Sequence, residues 1–342
     1  MSRRDKWRVN LALQGGGAHG AFTWGVLDGL LAAGLRPAAL SGSSAGALNA
    51  VALASGWAAD GEAGARAALE RLWVGIGRLS ATRSLPWPID GALQGRAVKT
   101  ITQMASPYQF NPGGFNPLRG LLDEVLDWQA LQRADAPPTF IAATDVETGA
   151  LRVFDRRTLG VDALLASTCV PTLFQAVELE GRFYWDGGFA ANPALLPLVA
   201  SGLSDDLMLI QLLRESTPGM PPRRVDGILE RTRELGFTTH LRRELNWIAR
   251  LRADAGWRGR WAFSPLMRRI ARLRFHQLDG GPLLADSAAS GPLETDAQSL
   301  ASLHAAGQAA AATWLSAHGG CIGQRSSRAL GDFDDVSSGH VR

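Results

Sequence analysis

Three short stretches hold residues that could do chemistry together. The first is Gly42-Ser43-Ser44-Ala45-Gly46, a G-x-S-x-G pentapeptide between a short apolar run and an Ala-rich helical one. A serine on a tight strand-to-helix turn sits in strained backbone, and small residues two positions to either side let the chain pass. The helix that follows aims its N-terminal N–H groups at whatever negative charge develops beside the hydroxyl. Ser44 is therefore read as a nucleophile, and Ser43, lacking the symmetric glycines, is not. The second stretch is Gly15-Gly16-Gly17-Ala18-His19-Gly20. Residues without side chains let a substrate carbonyl approach the backbone, so the N–H groups of Gly15, Gly16 and Gly17 are candidate oxyanion donors. The third is Asp186-Gly187-Gly188, an acid closing the aromatic run Phe183-Tyr184-Trp185. A serine hydroxyl attacks an ester only if a base takes its proton, and a carboxylate in a site that lifts its pKa can do so directly. Asp186 is the candidate base; the competing reading is that it merely holds the Gly187-Gly188 turn.

The same residues admit other readings. Gly15, Gly17 and Gly20 satisfy G-x-G-x-x-G, but a dinucleotide site also wants an acid about 20 positions on, at the end of the second strand. Residues 33–41 contain none, and neither a cofactor nor a metal is expected. Asp145 is a rival base, although Asp145-Val146-Glu147-Thr148-Gly149 reads as a hairpin turn. Ser44, Asp186 and His276 stand in a chain order permitted for an α/β-hydrolase triad. In that fold, however, the nucleophile follows a later strand, and His276 lies in a run with a strand pattern.

The elements that must position these groups follow from hydrophobic periodicity. Residues 9–13 read as a buried strand running into the glycine loop and a helix over 21–33; residues 38–41, the Ser44 turn and a helix to about 54 repeat the unit. Such a βαβ start places both loops at strand C-terminal ends, the edge on which open α/β sheets bind ligands. Further strands are expected at 139–144, with a hairpin partner at 151–154, and at 183–186 and 207–213. Helices are expected at 162–168, 225–252 and 295–316. Helical patterns at 60–78 and 93–104, a Pro/Gly/Asn-rich loop at 106–117 and a short helix at 118–126 make a cap-like insertion near 60–135. One domain is expected over 1–320, with 321–342 a disordered tail.

Taken in order, the glycine loop, the G-x-S-x-G turn and the D-G-G stretch resemble the patatin-like phospholipase family over about residues 9–213. The resemblance implies an α/β protein with a three-layer α/β/α fold and a mainly parallel central sheet. It implies a histidine-free dyad of Ser44 and Asp186, an oxyanion loop, and hydrolysis of lipid acyl esters of phospholipase, lysophospholipase or esterase type, without fixing the substrate. Acyl transfer or thioesterase chemistry on the same site, and a catalytically idle lipid-binding module, remain alternatives. One departure is His19, where the family loop usually carries Arg or Lys. A neutral imidazole there either weakens the electrostatic support of the loop or simply caps or packs it.

The whole chain bounds these readings. Its 342 residues are 46% hydrophobic and 20% charged, with a mean hydropathy of -0.02, which excludes a largely disordered protein. No apolar run reaches the roughly 18 residues of a membrane span. Residues 1–10 lack the pattern of a secretory signal, and Cys169 and Cys321 are far apart without metal spacing, so a cytoplasmic protein with Cys169 in the core is expected. The net charge of +3 hides an asymmetry: residues 223–274 hold 14 Arg against 5 acidic residues, interleaved with Trp247, Trp257, Trp261, Phe263 and Met267. That segment is either a surface docking peripherally on anionic membrane or a solvated helix face with ordinary core aromatics. It has no nucleic-acid-binding motif, and nucleic acid is not expected as a partner. Nothing in the sequence indicates an oligomeric state.

Overall fold

The computed structural model describes residues 7–81, 105–214, 220–256, 264–286 and 295–330. Expectations for residues 82–104, and for Trp257, Trp261 and Phe263, lie outside them. The chain opens as β1 (Arg8–Leu13), α1 (Gly20–Ala32), β2 (Arg36–Gly42) and α2 (Ala45–Ala81). Next come α3 (Leu118–Val125), β3 (Thr139–Asp145), β4 (Leu151–Phe154), α4 (Val161–Ser167), β5 (Val177–Leu179) and β6 (Arg182–Asp186). The C-terminal part adds α5 (Leu196–Ser201), β7 (Asp206–Gln211), α6 (Val225–Ala255), α7 (Pro265–Arg272), β8 (Arg274–Asp279) and α8 (Ala297–His318).

The strands form one sheet in the order β5-β6-β3-β2-β1-β7-β8, with β4 also pairing with β3. The run β3-β2-β1-β7-β8 is parallel, while the pairings β3-β4, β3-β6 and β5-β6 are antiparallel. Side chains alternate between faces along each strand, and the two faces carry separate cores. Leu11 and Leu13 of β1 with Met208 and Ile210 of β7 pack in a cluster shared with α1, α2 and α8. Ala12, Leu207 and Leu209 face the other way, against Leu198 of α5, Leu241 and Leu245 of α6 and Ile270 of α7. This two-sided burial is the three-layer α/β/α arrangement. On the first face α1 and α8 approach closely enough that a Cβ on Gly25 would come 2.0 Å from the His304 carbonyl oxygen.

Two expectations need correction. Residues 60–81 are not part of a cap: they are the second half of α2, which continues past non-helical backbone at Asp60 and Gly61 and buries Leu69, Leu72 and Trp73 in the main core. Nor are residues 321–330 a loose tail, while the expectation for 331–342 lies outside the described residues. The Gly323 amide donates to Asp206 at 3.0 Å and the Ser327 amide to the Phe275 carbonyl at 3.1 Å, holding residues 321–330 against β7 and β8, with Ile322 and Leu330 buried. Among the described residues no helix is long and apolar enough to cross a membrane.

Candidate active site

Sheet register brings the three stretches to one edge. Leu13 of β1 pairs with Gly42 of β2, so the glycine loop and the Ser44 turn leave adjacent parallel strands at the same level. Gly42 pairs with Ile141 and Ala143 pairs with Asp186, so antiparallel β6 delivers Asp186 at the level reached two residues beyond Gly42, that of Ser44.

Ser44 has φ 53°, in the left-handed region that costs a residue with a Cβ about 1–2 kcal/mol. The surrounding chain enforces it. A Cβ on Gly46 would come 2.1 Å from the Leu13 carbonyl oxygen and one on Gly42 would come 2.3 Å from that of Gly46, so only glycine fits either flank of the elbow. The Ser44 amide donates to the Ser167 hydroxyl of α4 at 3.2 Å, and the Ser43 hydroxyl is committed to the Ala191 carbonyl at 2.5 Å, away from catalysis. Ser44 itself is 8% exposed.

Asp186 is fully buried. Its amide donates to the Cys169 carbonyl at 2.8 Å, and its Oδ1 accepts the Gly188 amide at 2.8 Å. Gly187 and Gly188 are required by their neighbours: added Cβ atoms would meet the Ala142 carbonyl oxygen at 2.1 Å and the Phe237 ring at 2.3 Å. Burial pushes the carboxyl up to about 6, although the Ser44 hydroxyl and the Gly188 amide both favour its ionised form. The Ser44 hydroxyl is thus close enough to act on the carboxyl, yet Oδ2 has no hydrogen bond of ordinary length and angle. A resting enzyme commonly leaves such a contact long. Oδ2 is a buried acceptor without a partner on a carboxyl that the Ser44 hydroxyl influences.

The glycine loop packs directly on the elbow. A Cβ on Gly15 would come 2.6 Å from the Ser43 carbonyl oxygen and 2.8 Å from Ser44 Cβ. Its N–H does not face the site as a free donor, however: it donates to Asn192 Oδ1 at 2.7 Å, and Asn192 Nδ2 returns a 3.4 Å bond to the Gly15 carbonyl. Gln14 extends the brace, its Oε1 accepting the Leu212 and Leu213 amides at 2.7 and 2.8 Å. Among the described residues no hydrogen bond engages the N–H groups of Gly16 and Gly17, and Gly17 has φ 62°. His19 stands on the turn, its amide donating to the Gly16 carbonyl at 3.3 Å.

The rival groups are held elsewhere. Arg182 and Thr148 bond the Asp145 carboxyl and hold it down at about 2, too weak a base for this role. His276 lies three strands from β2 in the sheet, about 14 Å at ~4.8 Å per strand, and two residues short of the catalytic edge. It bonds Asp206 through Nε2 at 2.9 Å. Burial and the nearby Asp186 push the Cys169 thiol up to about 12, so it is a core residue. Two contributors escaped sequence reasoning, Asn192 and Ser167. Asn192-Pro193 after the acid motif was visible, but nothing local pointed its side chain at a loop 177 residues away.

The family model for patatin-like phospholipases matches residues 11–199, more than half of the chain. The chain belongs to the patatin-like phospholipase family, whose members are lipid acyl hydrolases. Among solved structures, VipD from Legionella pneumophila aligns with a TM-score of 0.42 and 14% identity, over 91% of this chain and 67% of that one. No curated protein matches the chain.

Proposed function

We propose that the protein is a serine acyl hydrolase that cleaves lipid acyl esters through Ser44 and Asp186. The Ser44 proton passes to Asp186 Oδ2 as Oγ bonds to the ester carbonyl carbon, and the carbonyl oxygen becomes an oxyanion. The Gly16 and Gly17 amides receive that charge, supported by the N-terminus of α2. Protonated Asp186 then gives its proton to the departing alkoxide, leaving an acyl-serine. Water attacks this next, with the same carboxylate as base, and Ser44 is released. The observation that carries the reading is the buried Asp186 carboxyl at about 6, acted on by the Ser44 hydroxyl and with one oxygen unpaired. A pKa near 6 leaves the base mostly ionised at neutral pH yet able to hold a proton between steps.

Lipid as substrate class rests on family membership, and it gives the protein a reason to meet a membrane surface peripherally. Two buried, unpaired cysteines accord with a reducing compartment such as the cytoplasm. Purified protein and its Ser44→Ala variant, assayed on phospholipids, lysophospholipids and short p-nitrophenyl esters, test the reading. Hydrolysis lost by three or more orders of magnitude in a folded Ser44→Ala protein supports it. Retained hydrolysis overturns it, and acyl transfer to an added alcohol that outruns release to water would make the protein a transferase.

A further inference from the structure

The basic segment does not behave as one surface. In α7, Ile270 and Ala271 are buried, Leu266 and Met267 pack on the second core, and Arg269 donates to the Ala200 carbonyl. That helix is spent on the fold. The N-terminal and outer face of α6 is different. Val225, Ile228, Leu229, Leu235, Trp247 and Leu251 are 37–73% exposed there, and their spacing places them on one side of the helix, a stripe about 39 Å long at 1.5 Å per residue. Arg233 and Arg243 stand exposed within the same arc. Among the α6 residues whose exposure is described, none of the exposed ones from Val225 to Leu251 is a carboxylate: Glu234 is paired with Arg231, and Glu244 lies beneath, its carboxylate accepting the Leu195 and Leu196 amides at the start of α5.

The opposite side of the same helix touches the site. Phe237 stacks edge-on against Phe189, with ring centroids 4.7 Å apart, and covers Gly188, two residues from Asp186. One helix therefore forms a wall beside the base and turns an apolar stripe outward that carries Arg233 and Arg243, with the exposed acid Asp254 at its C-terminal end, beyond Leu251.

We propose that this outer face of α6 is a lipid-docking surface that seats the protein on an anionic bilayer and brings the mouth of the Ser44 site to it. The inference rests on the acyl-hydrolase reading only for its purpose, not for its test. Apolar side chains on an amphipathic helix enter the headgroup boundary, Trp settles there, and each basic residue held near an anionic surface gains about 1 kcal/mol, which sets the charge preference. Exposed apolar side chains of this number on one side of a helix, with Arg233 and Arg243 among them, mark an interaction site.

The test uses the full chain carrying Ser44→Ala, which cannot consume the lipid, so binding is read whether or not Ser44 is the nucleophile. Co-sedimentation is measured with vesicles of phosphatidylcholine alone and of equal parts phosphatidylcholine and phosphatidylglycerol. Binding is expected to both kinds, tighter to the mixed vesicles and there weakened by salt. Arg233→Gln with Arg243→Gln should weaken it about thirtyfold on mixed vesicles alone, while Ile228→Gln with Leu229→Gln should abolish it on both kinds. In chains with Ser44 intact, both double variants should keep kcat/KM on a short soluble ester within twofold and lose activity on vesicles. Vesicle binding that is absent, or unchanged by both double variants, overturns the proposal and leaves the ester assay to judge the active site separately. Self-association in sedimentation velocity that Ile228→Gln with Leu229→Gln dissolves also overturns it, since the face would then belong to a second copy of this chain.

Discussion

Replacing Asp186 by Asn removes the proposed base while keeping its shape, and it should make the protein inactive and more stable at once. Oδ1 still accepts the Gly188 amide, and the new Nδ2 takes the place of the unpaired Oδ2 and can donate to Ser44. The carboxyl is raised from 3.8 to about 6 by burial, so the folded protein holds that proton more tightly than the unfolded chain does. The stability this group contributes is fully present below about pH 4 and lost as pH rises through about 6. Two pKa units at 1.36 kcal/mol each put the cost of the ionised group at about 3 kcal/mol near pH 7.5, falling to about 1 kcal/mol near pH 4.5. Urea denaturation at both pH values should show Asp186→Asn more stable than the wild type by roughly those amounts. The same variant should lose about three to four orders of magnitude in kcat/KM, and the wild-type rate should fall on the acid side with a midpoint near 6. A stability gap of equal size at both pH values, or an acid limb near pH 4, would refute the argument that a desolvated carboxylate is the base.

Other perturbations separate strain, packing and chemistry. Ser44→Gly relieves the left-handed backbone that Ser44→Ala retains, so the glycine variant should be more stable by about 1 kcal/mol in urea; a less stable glycine variant would deny the strain. Gly46→Ala drives a Cβ to 2.1 Å from the Leu13 carbonyl oxygen and should cost several kcal/mol, whereas Gly120→Ala in α3 meets nothing within 4 Å and should add up to about 1 kcal/mol. His276→Gln should leave kcat/KM within a few fold while lowering the denaturation midpoint, because His276 bonds Asp206 far from the site; a loss near 10⁴ would restore the triad.

What was legible in the sequence was local. The β1-loop-α1 and β2-elbow-α2 units show because strand period, glycines and helix period follow one another within thirty or so residues, and the D-G-G stretch shows because it ends an aromatic strand. Whatever depends on contacts between distant residues was hidden. Residues 60–81 have the polarity of a surface insertion until α2 lays Trp73 over Gly20 and bonds its indole N–H to Asn49 Oδ1 at 2.8 Å. The polar stretch after residue 321 reads as a tail because its anchors, Asp206 and Phe275, lie on other strands. In α6 the sequence shows a basic helix with aromatics; only the packed structure tells the exposed Trp247 from Leu241 and Leu245, which face the core.

The glycine loop shows how far such contacts alter the chemistry inferred from a motif. Three consecutive glycines suggest three equivalent donors, but Asn192 takes the Gly15 amide, and the proposed reaction is left with the amides of Gly16 and Gly17. Asn192 is then a positioning residue: it touches no reacting atom, and its paired bonds to the Gly15 N–H and carbonyl fix the direction in which the next two amides point. Asn192→Ala should lower kcat by about ten- to a hundredfold with KM little changed, since a loosened loop costs transition-state stabilisation and not ground-state binding. Asn192→Asp keeps the acceptor for the Gly15 amide but loses the donor and adds a negative charge to a fully buried position beside the oxyanion. It should therefore be slower still near neutral pH and recover toward the Ala level as its own carboxyl is protonated at lower pH. Equal rates for the two variants across that range would mean that the Asn192 side chain only fills space, and that the loop is set by Gln14 and its bonds to Leu212 and Leu213.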